Sequence, residues 1–172
     1  MEPPEFSYPV ALRQVDARTH HLEAGEAERA ALARRFGLVA VHRLAAEIAL
    51  ERDGDAVDAT GRMEADIVQS CAVSGEDLPV SIREQLTFRF VPEPGTATPE
   101  VEIELDAGNL DEILYSGEMF DLGEAVAQSL ALAIDPFAVG PGANAARKAA
   151  GLLDVDSAGP FAALKGLKKD GP

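Results

Sequence analysis

From Leu38 to Glu51 every second residue is apolar or in phase with an apolar one. Leu38, Ala40, Leu44, Ala46, Ile48 and Leu50 share one face, and His42 falls on that face with them. A period of two places alternate side chains on opposite faces of a strand, so this stretch predicts a strand with one buried side. Asp53-Gly54 is a tight hairpin signal. The pattern then resumes: Val57, Ala59, Gly61, Met63, Ala65 and Ile67 face in, while Asp58, Thr60, Arg62, Glu64 and Asp66 face out. Ser74-Gly75-Glu76-Asp77 reads as a second turn. Leu78 to Val91 is a third long strand with Val80, Ile82, Leu86, Phe88 and Phe90 inside. Glu84 breaks that inner face and marks a bulge or a sheet rim.

Two shorter stretches alternate in the same way. Phe6, Tyr8, Val10 and Leu12 predict a strand near the start, and Pro9, which has no N–H to give to a ladder, suits an edge. Val101, Ile103 and Leu105 alternate with Glu102 and Glu104, and charge on such a strand discourages pairing with other chains.

The period changes to that of a helix in Asp121–Phe137. Leu122, Ala125, Val126, Ser129, Leu130, Ala133 and Ile134 form one stripe. Asp121 is a natural N-cap, Glu124 stands where a capping box would place it, and Pro136 closes the element. Glu26–Phe36 is a second helix, ended by Gly37, with Ala31, Leu32 and Phe36 as its apolar stripe. Asn109–Tyr115 reads as a helical turn capped by Asn109, and His20-His21 as part of a polar connection. The expected fold is therefore α+β: an antiparallel meander sheet, flanked by the first strand and the Val101 strand, with one apolar face covered by two helices. Partial closure toward a barrel is left open by the pattern. Residues 1–139 form the expected single domain. Residues 140–172 supply a flexible Gly/Ala/Pro-rich linker and a short C-terminal segment.

That closing segment differs from the rest in charge. Phe161, Leu164 and Leu167 are spaced three apart, beside Lys165, Lys168 and Lys169. The chain as a whole is strongly acidic, with net charge −15 over 172 residues. The imbalance is local: residues 1–92 carry −6, residues 93–124 hold ten acidic and no basic groups, and residues 125–172 carry +1. Nucleic-acid affinity comes largely from neutralising phosphates, so such a surface disfavours broad RNA or DNA binding and suits a basic protein. The single cysteine excludes an internal disulfide framework and fits a reducing compartment. The acidic, proline-containing start MEPPEF is unlike a signal peptide, and no apolar run approaches a membrane span. A cytoplasmic protein without membrane contact is expected.

Little in the sequence promises catalysis. His42 is expected in the core, adjacent His20 and His21 diverge, and Cys71 has no surrounding nucleophile signature. The acids of Glu93–Glu124 lack calcium-loop spacing, and no phosphate loop, nucleophile elbow or zinc-protease motif is present. No catalytic residue, cofactor or metal ligand is expected. The residues assigned to partner binding are Glu102, Glu104, Asp111, Glu112, Glu118 and Asp121 in the acidic stretch, with Phe161, Leu164, Lys165 and Lys168 in the tail.

Gln69-Ser70-Cys71-Ala72-Val73-Ser74 leading into Leu78-Pro79-Val80 resembles one half of the signature of the YceD family, the bacterial large ribosomal RNA subunit accumulation proteins. The second half is similar to Asp111-Glu112, Tyr115, Asp121-Leu122-Gly123-Glu124 and Asp135-Pro136, and the closing Pro160-Phe161-Ala162-Ala163-Leu164 resembles the tail of one branch. Many members carry a second cysteine where this chain has Ser74, so a zinc role is not implied here. The resemblance implies a cytoplasmic, non-enzymatic factor needed for 23S rRNA accumulation. Its expected partner is a basic ribosomal protein or a large-subunit assembly factor, with rRNA contacted indirectly or through the tail. An acidic, chaperone-like protein-binding module unrelated to rRNA is the alternative that the charge alone allows.

Overall fold

The computed structural model describes residues 5–15, 18–93 and 112–152. Its elements are β1 (Pro9–Ala11), β2 (Thr19–Glu23), α1 (Glu26–Phe36), β3 (Ala40–Asp53), β4 (Ala56–Ser70), β5 (Asp77–Pro92), β6 (Glu112–Tyr115), β7 (Met119–Asp121), α2 (Leu122–Ala133) and α3 (Ala143–Ala149). The chain divides into two compact units, residues 1–68 with 79–134 and residues 69–78 with 135–172.

The first unit is α+β. Its sheet runs β2-β3-β4-β5-β6 and is open, with β2 at one edge and β6 at the other among the described residues. The three long strands are those the alternation predicts. Asp53 pairs with Ala56 across a two-residue loop, and Gly54 takes the left-handed φ of 65° that such a loop demands. Leu44, Ile48, Val57, Met63, Ile67 and Phe90 are fully buried on the inner face. Leu32 of α1 and Leu122, Val126 and Leu130 of α2 join the same cluster at 0% exposure. Burying each such side chain contributes about 1.5–3 kcal/mol. The opposite face carries ion pairs between neighbouring strands, such as Arg62–Glu47 at 2.6 Å and Arg43–Glu64 at 2.9 Å.

Several elements differ from the sequence expectation, each for a local reason. The register slips between Val41 and Arg43, so His42 is the extra residue of a bulge and points to solvent, while Val41 takes the buried place. His20-His21 lies in β2, an antiparallel edge strand, because Leu22 and Ala24 continue the period of two into the core at 3% and 1% exposure. The first strand does not flank the main sheet. It pairs with β7 in a separate two-stranded ribbon, burying Phe6 and Val10 and leaving Tyr8 exposed. Glu112–Tyr115 is a strand, parallel to β5, in place of the helical turn: extended backbone brings Tyr115 into the core and its hydroxyl to the Asp55 carbonyl. The strand expected at Val101–Leu105 lies outside the described residues.

In the second unit, Gln69 Nε2 donates to the Asp135 carbonyl at 2.8 Å and Ala72 N–H to the Ala138 carbonyl at 2.9 Å. A short helix, α3, forms within the stretch expected to be a linker, beginning at buried Ala143. The glycines ahead of it allow close approach. A Cβ on Gly140 would come within 2.4 Å of Leu78, and one on Gly142 within 1.9 Å of the Glu76 carboxylate.

Candidate partner-binding surface

The acidic stretch enters the described residues with Glu93 and again with Glu112. Glu112 opens β6 opposite Arg89 and is exposed. Glu118 is exposed in the turn before β7, and its backbone carbonyl accepts Leu12 N–H at 2.8 Å. Asp121 is differently employed. Its Oδ1 accepts Glu124 N–H at 3.1 Å, the cap that the sequence predicts, and also Tyr8 N–H at 2.8 Å; its Oδ2 accepts the Ser7 hydroxyl at 2.5 Å. A carboxylate so committed has little left for a partner. Glu124 does not complete a capping box, because Arg35 claims its carboxylate at 2.8 and 2.9 Å. Glu28 makes the corresponding bond at the start of α1, to Gly25 N–H at 2.6 Å.

Glu102, Glu104 and Asp111 of the acidic stretch, and Phe161, Leu164, Lys165 and Lys168 of the tail, lie outside the described residues. Glu112 and Glu118 thus stand at the surface, while the half-exposed Asp121 carboxylate is committed to bonds within the fold.

Glu84, flagged by its broken alternation, has more to do with a surface site than its position in β5 suggests. It is exposed although it shares the phase of buried Ile82 and Leu86. With Glu112 it lines a groove of about 600 Å³ between β5, β6 and α2, which Leu132 and Gln128 border from the helix. Leu132 carries no periodic signal, being off the buried stripe of α2.

Cys71 is buried, and its sulfur is a hydrogen-bond acceptor for Ser74 N–H at 3.3 Å, Gly140 N–H at 3.3 Å and Val73 N–H at 3.5 Å. Donors on the sulfur favour the thiolate, Gly140 foremost and Ser74 next, and pull the thiol down to about 6. The sequence expectation of a packing residue misses this acceptor role. Among the described residues no group of three or more His, Cys, Asp or Glu side chains is placed to hold a metal ion. Among them, too, no helix is long and apolar enough to cross a membrane.

An open, mostly antiparallel sheet with two helices packed on its apolar face defines an α+β class of fold. The chain belongs to the YceD family, the large ribosomal RNA subunit accumulation proteins, whose profile matches residues 59–168. That match starts within β4 and runs past α3, including the Cys71 turn and the Asp121-Leu122-Gly123-Glu124 helix start. The family description places the chain among proteins concerned with large-subunit rRNA accumulation. Searches of curated proteins and of solved structures return no match.

Proposed function

We propose that this protein is a non-enzymatic cytoplasmic factor that supports 23S rRNA accumulation by binding a basic ribosomal protein or large-subunit assembly factor through its acidic surface. The observation that carries the reading is the charge distribution in a family member: ten acids and no Lys or Arg between residues 93 and 124. Glu93, Glu112 and Glu118, all exposed, are described members of that stretch. Such a field steers a cationic partner in and repels phosphate backbones. The basic segment Phe161–Lys169 adds a second contact, on the partner complex or on rRNA.

The test is co-sedimentation of the full chain with large-subunit precursors from cells, read against salt. Association that weakens steeply as salt rises supports the reading. Deleting Ala158–Pro172 isolates the tail: unchanged co-sedimentation removes it from the mechanism. Binding of basic proteins with no co-sedimentation and no change in 23S rRNA levels on depletion overturns the ribosomal role and leaves an acidic protein-binding module.

A further inference from the structure

The inner face of β5 is core at Ile82, Leu86, Phe88 and Phe90, yet at Glu84 it opens into the groove of about 600 Å³. Leu86, Phe88 and Ile113 supply part of the lining there, and at the end of α2 so does Leu132, a leucine 88% exposed. Leu132 extends the apolar lining to the groove's edge. The rim is anionic. Glu84 and Glu112 both line the groove, and no basic residue does among the described ones. Neither carboxylate has an ion-pair or hydrogen-bond partner among the described residues. This contrasts with Glu47, Glu64 and Glu124, each held by an arginine. Gln85, Thr87, Gln128 and Ser129 share the lining, so the groove is amphipathic; with its uncompensated carboxylates it is complementary to a segment with apolar side chains on one face and Lys or Arg beside them.

We infer that this groove docks an amphipathic basic segment of a partner protein. The apolar side chains lie on Leu86, Phe88, Ile113 and Leu132, and the cations reach Glu84 and Glu112. The inference rests on the reading of the protein as a binder of basic partners and adds where, and by what shape of segment, the partner is held.

The test uses the full chain and two fluorescein-labelled peptides of leucine and lysine. One spaces its leucines i, i+3, i+4 and i+7; the other has the same composition with the leucines scattered around the helix. The expected result is anisotropy binding of the first at least about tenfold tighter than the second. Glu84→Lys with Glu112→Lys weakens it about tenfold at low salt, since each exposed charge pair is worth a few-fold in affinity. Leu132→Asp weakens it similarly and, lying at an exposed site, leaves the melting temperature unchanged. Equal binding of both peptides, indifferent to Leu132→Asp, shows attraction by charge alone and overturns the groove, as does no binding of either. Binding that appears only after residues 153–172 are removed assigns the groove to the chain's own tail. A dimer dispersed by Leu132→Asp assigns it to a second copy. Either result overturns the inference. Co-sedimentation with large-subunit precursors separates the two readings. If the groove variants co-sediment like wild type, the groove fails and the functional reading stands. If wild type does not co-sediment, the functional reading fails whatever the peptides do.

Discussion

Arg35 near the end of α1 and Glu124 in the first turn of α2 face each other through two hydrogen bonds, 2.9 Å from Nη1 to Oε2 and 2.8 Å from Nη2 to Oε1. The pairing is bidentate and joins the two helices that cover the sheet. Each charge also favours its own helix end, the cation a C-terminus and the carboxylate an N-terminus. Glu5 adds a second carboxylate to Arg35 at 3.0 Å.

Removing this pair has a defined pH signature. The Arg35 bond holds the Glu124 carboxyl below its ordinary value of 4.5, with Gln128 assisting against the cost of burial. A carboxylate with a depressed native pKa contributes stability that is present above its unfolded pKa and is lost as the pH falls through the native one. Glu124→Gln is therefore expected to lower stability by about 1 kcal/mol at pH 7. The gap between wild type and variant should narrow as the pH drops below 4.5 and vanish once Glu124 is protonated in the native state. Urea titrations at several pH values measure this. A gap independent of pH would show that Glu124 acts by packing and not by charge.

Two glycines are required by neighbouring backbone. A Cβ on Gly123 would lie 2.7 Å from Tyr8 N and 2.8 Å from two Ser7 backbone atoms. One on Gly61 would lie 2.0 Å from the Glu47 carbonyl oxygen, across the β3–β4 ladder. Backbone cannot yield as a side-chain tip does. Gly123→Ala and Gly61→Ala should each cost about 3 kcal/mol, the upper end of ordinary overpacking, although alanine is the better helix former at position 123. Chemical denaturation reads the loss. A neutral Gly123→Ala would mean that the Ser7-Tyr8 backbone does not approach α2 as described.

Gly123 also shows why part of the fold is legible in the sequence and part is not. The three long strands, α1 and α2 follow from local periodicity and caps, which single residues announce. The reason for glycine inside Asp121-Leu122-Gly123-Glu124 lies more than a hundred residues away, at Ser7 and Tyr8, and no local pattern reports it. The same holds for β6, a four-residue strand whose parallel partner is chosen by the sheet and not by its own propensity. Strict alternation places His42 in the core, and one inserted residue at the bulge reverses it. At the surface, Glu84 was visible as a charge in an apolar phase. Leu132 gave no signal, because an exposed leucine on a helix is unremarkable until the groove beside it is seen. Asp121 could be read as a cap, but not as the anchor of β1.

Cys71 should titrate as an acceptor. With its thiol pulled down to about 6, chiefly by Gly140 N–H, the thiolate predominates at pH 7.5. Absorbance near 240 nm, followed against pH, is expected to show one thiol with a midpoint near that value. Because the native pKa is depressed from its ordinary 9.0, the stabilisation is full above that value and is lost as the pH falls through about 6. Cys71→Ala leaves the Gly140 and Ser74 N–H groups without their acceptor, whereas Cys71→Ser keeps an oxygen for them, so alanine should be the more damaging change. Equal effects of the two substitutions would remove the sulfur from the hydrogen bonding of this turn.

Asp121 divides its work between two oxygens, and the division makes a sharper prediction than its role as a cap. Oδ1 serves both Glu124 N–H and Tyr8 N–H, while Oδ2 takes only the Ser7 hydroxyl. Asp121→Ala loses all three and should cost about 2 kcal/mol, at the upper end of the range for N-caps. Asparagine keeps one carbonyl oxygen for the two amides, and its NH2 can donate to the Ser7 hydroxyl, which is able to accept. Asp121→Asn should therefore cost well under half as much as alanine, and Ser7→Ala only a few tenths of a kcal/mol because its bond is exposed. If asparagine proves as damaging as alanine in thermal melts, the carboxylate acts through its charge on the helix dipole. If Ser7→Ala alone reproduces the loss, Oδ2 and not Oδ1 is what joins β1 to α2.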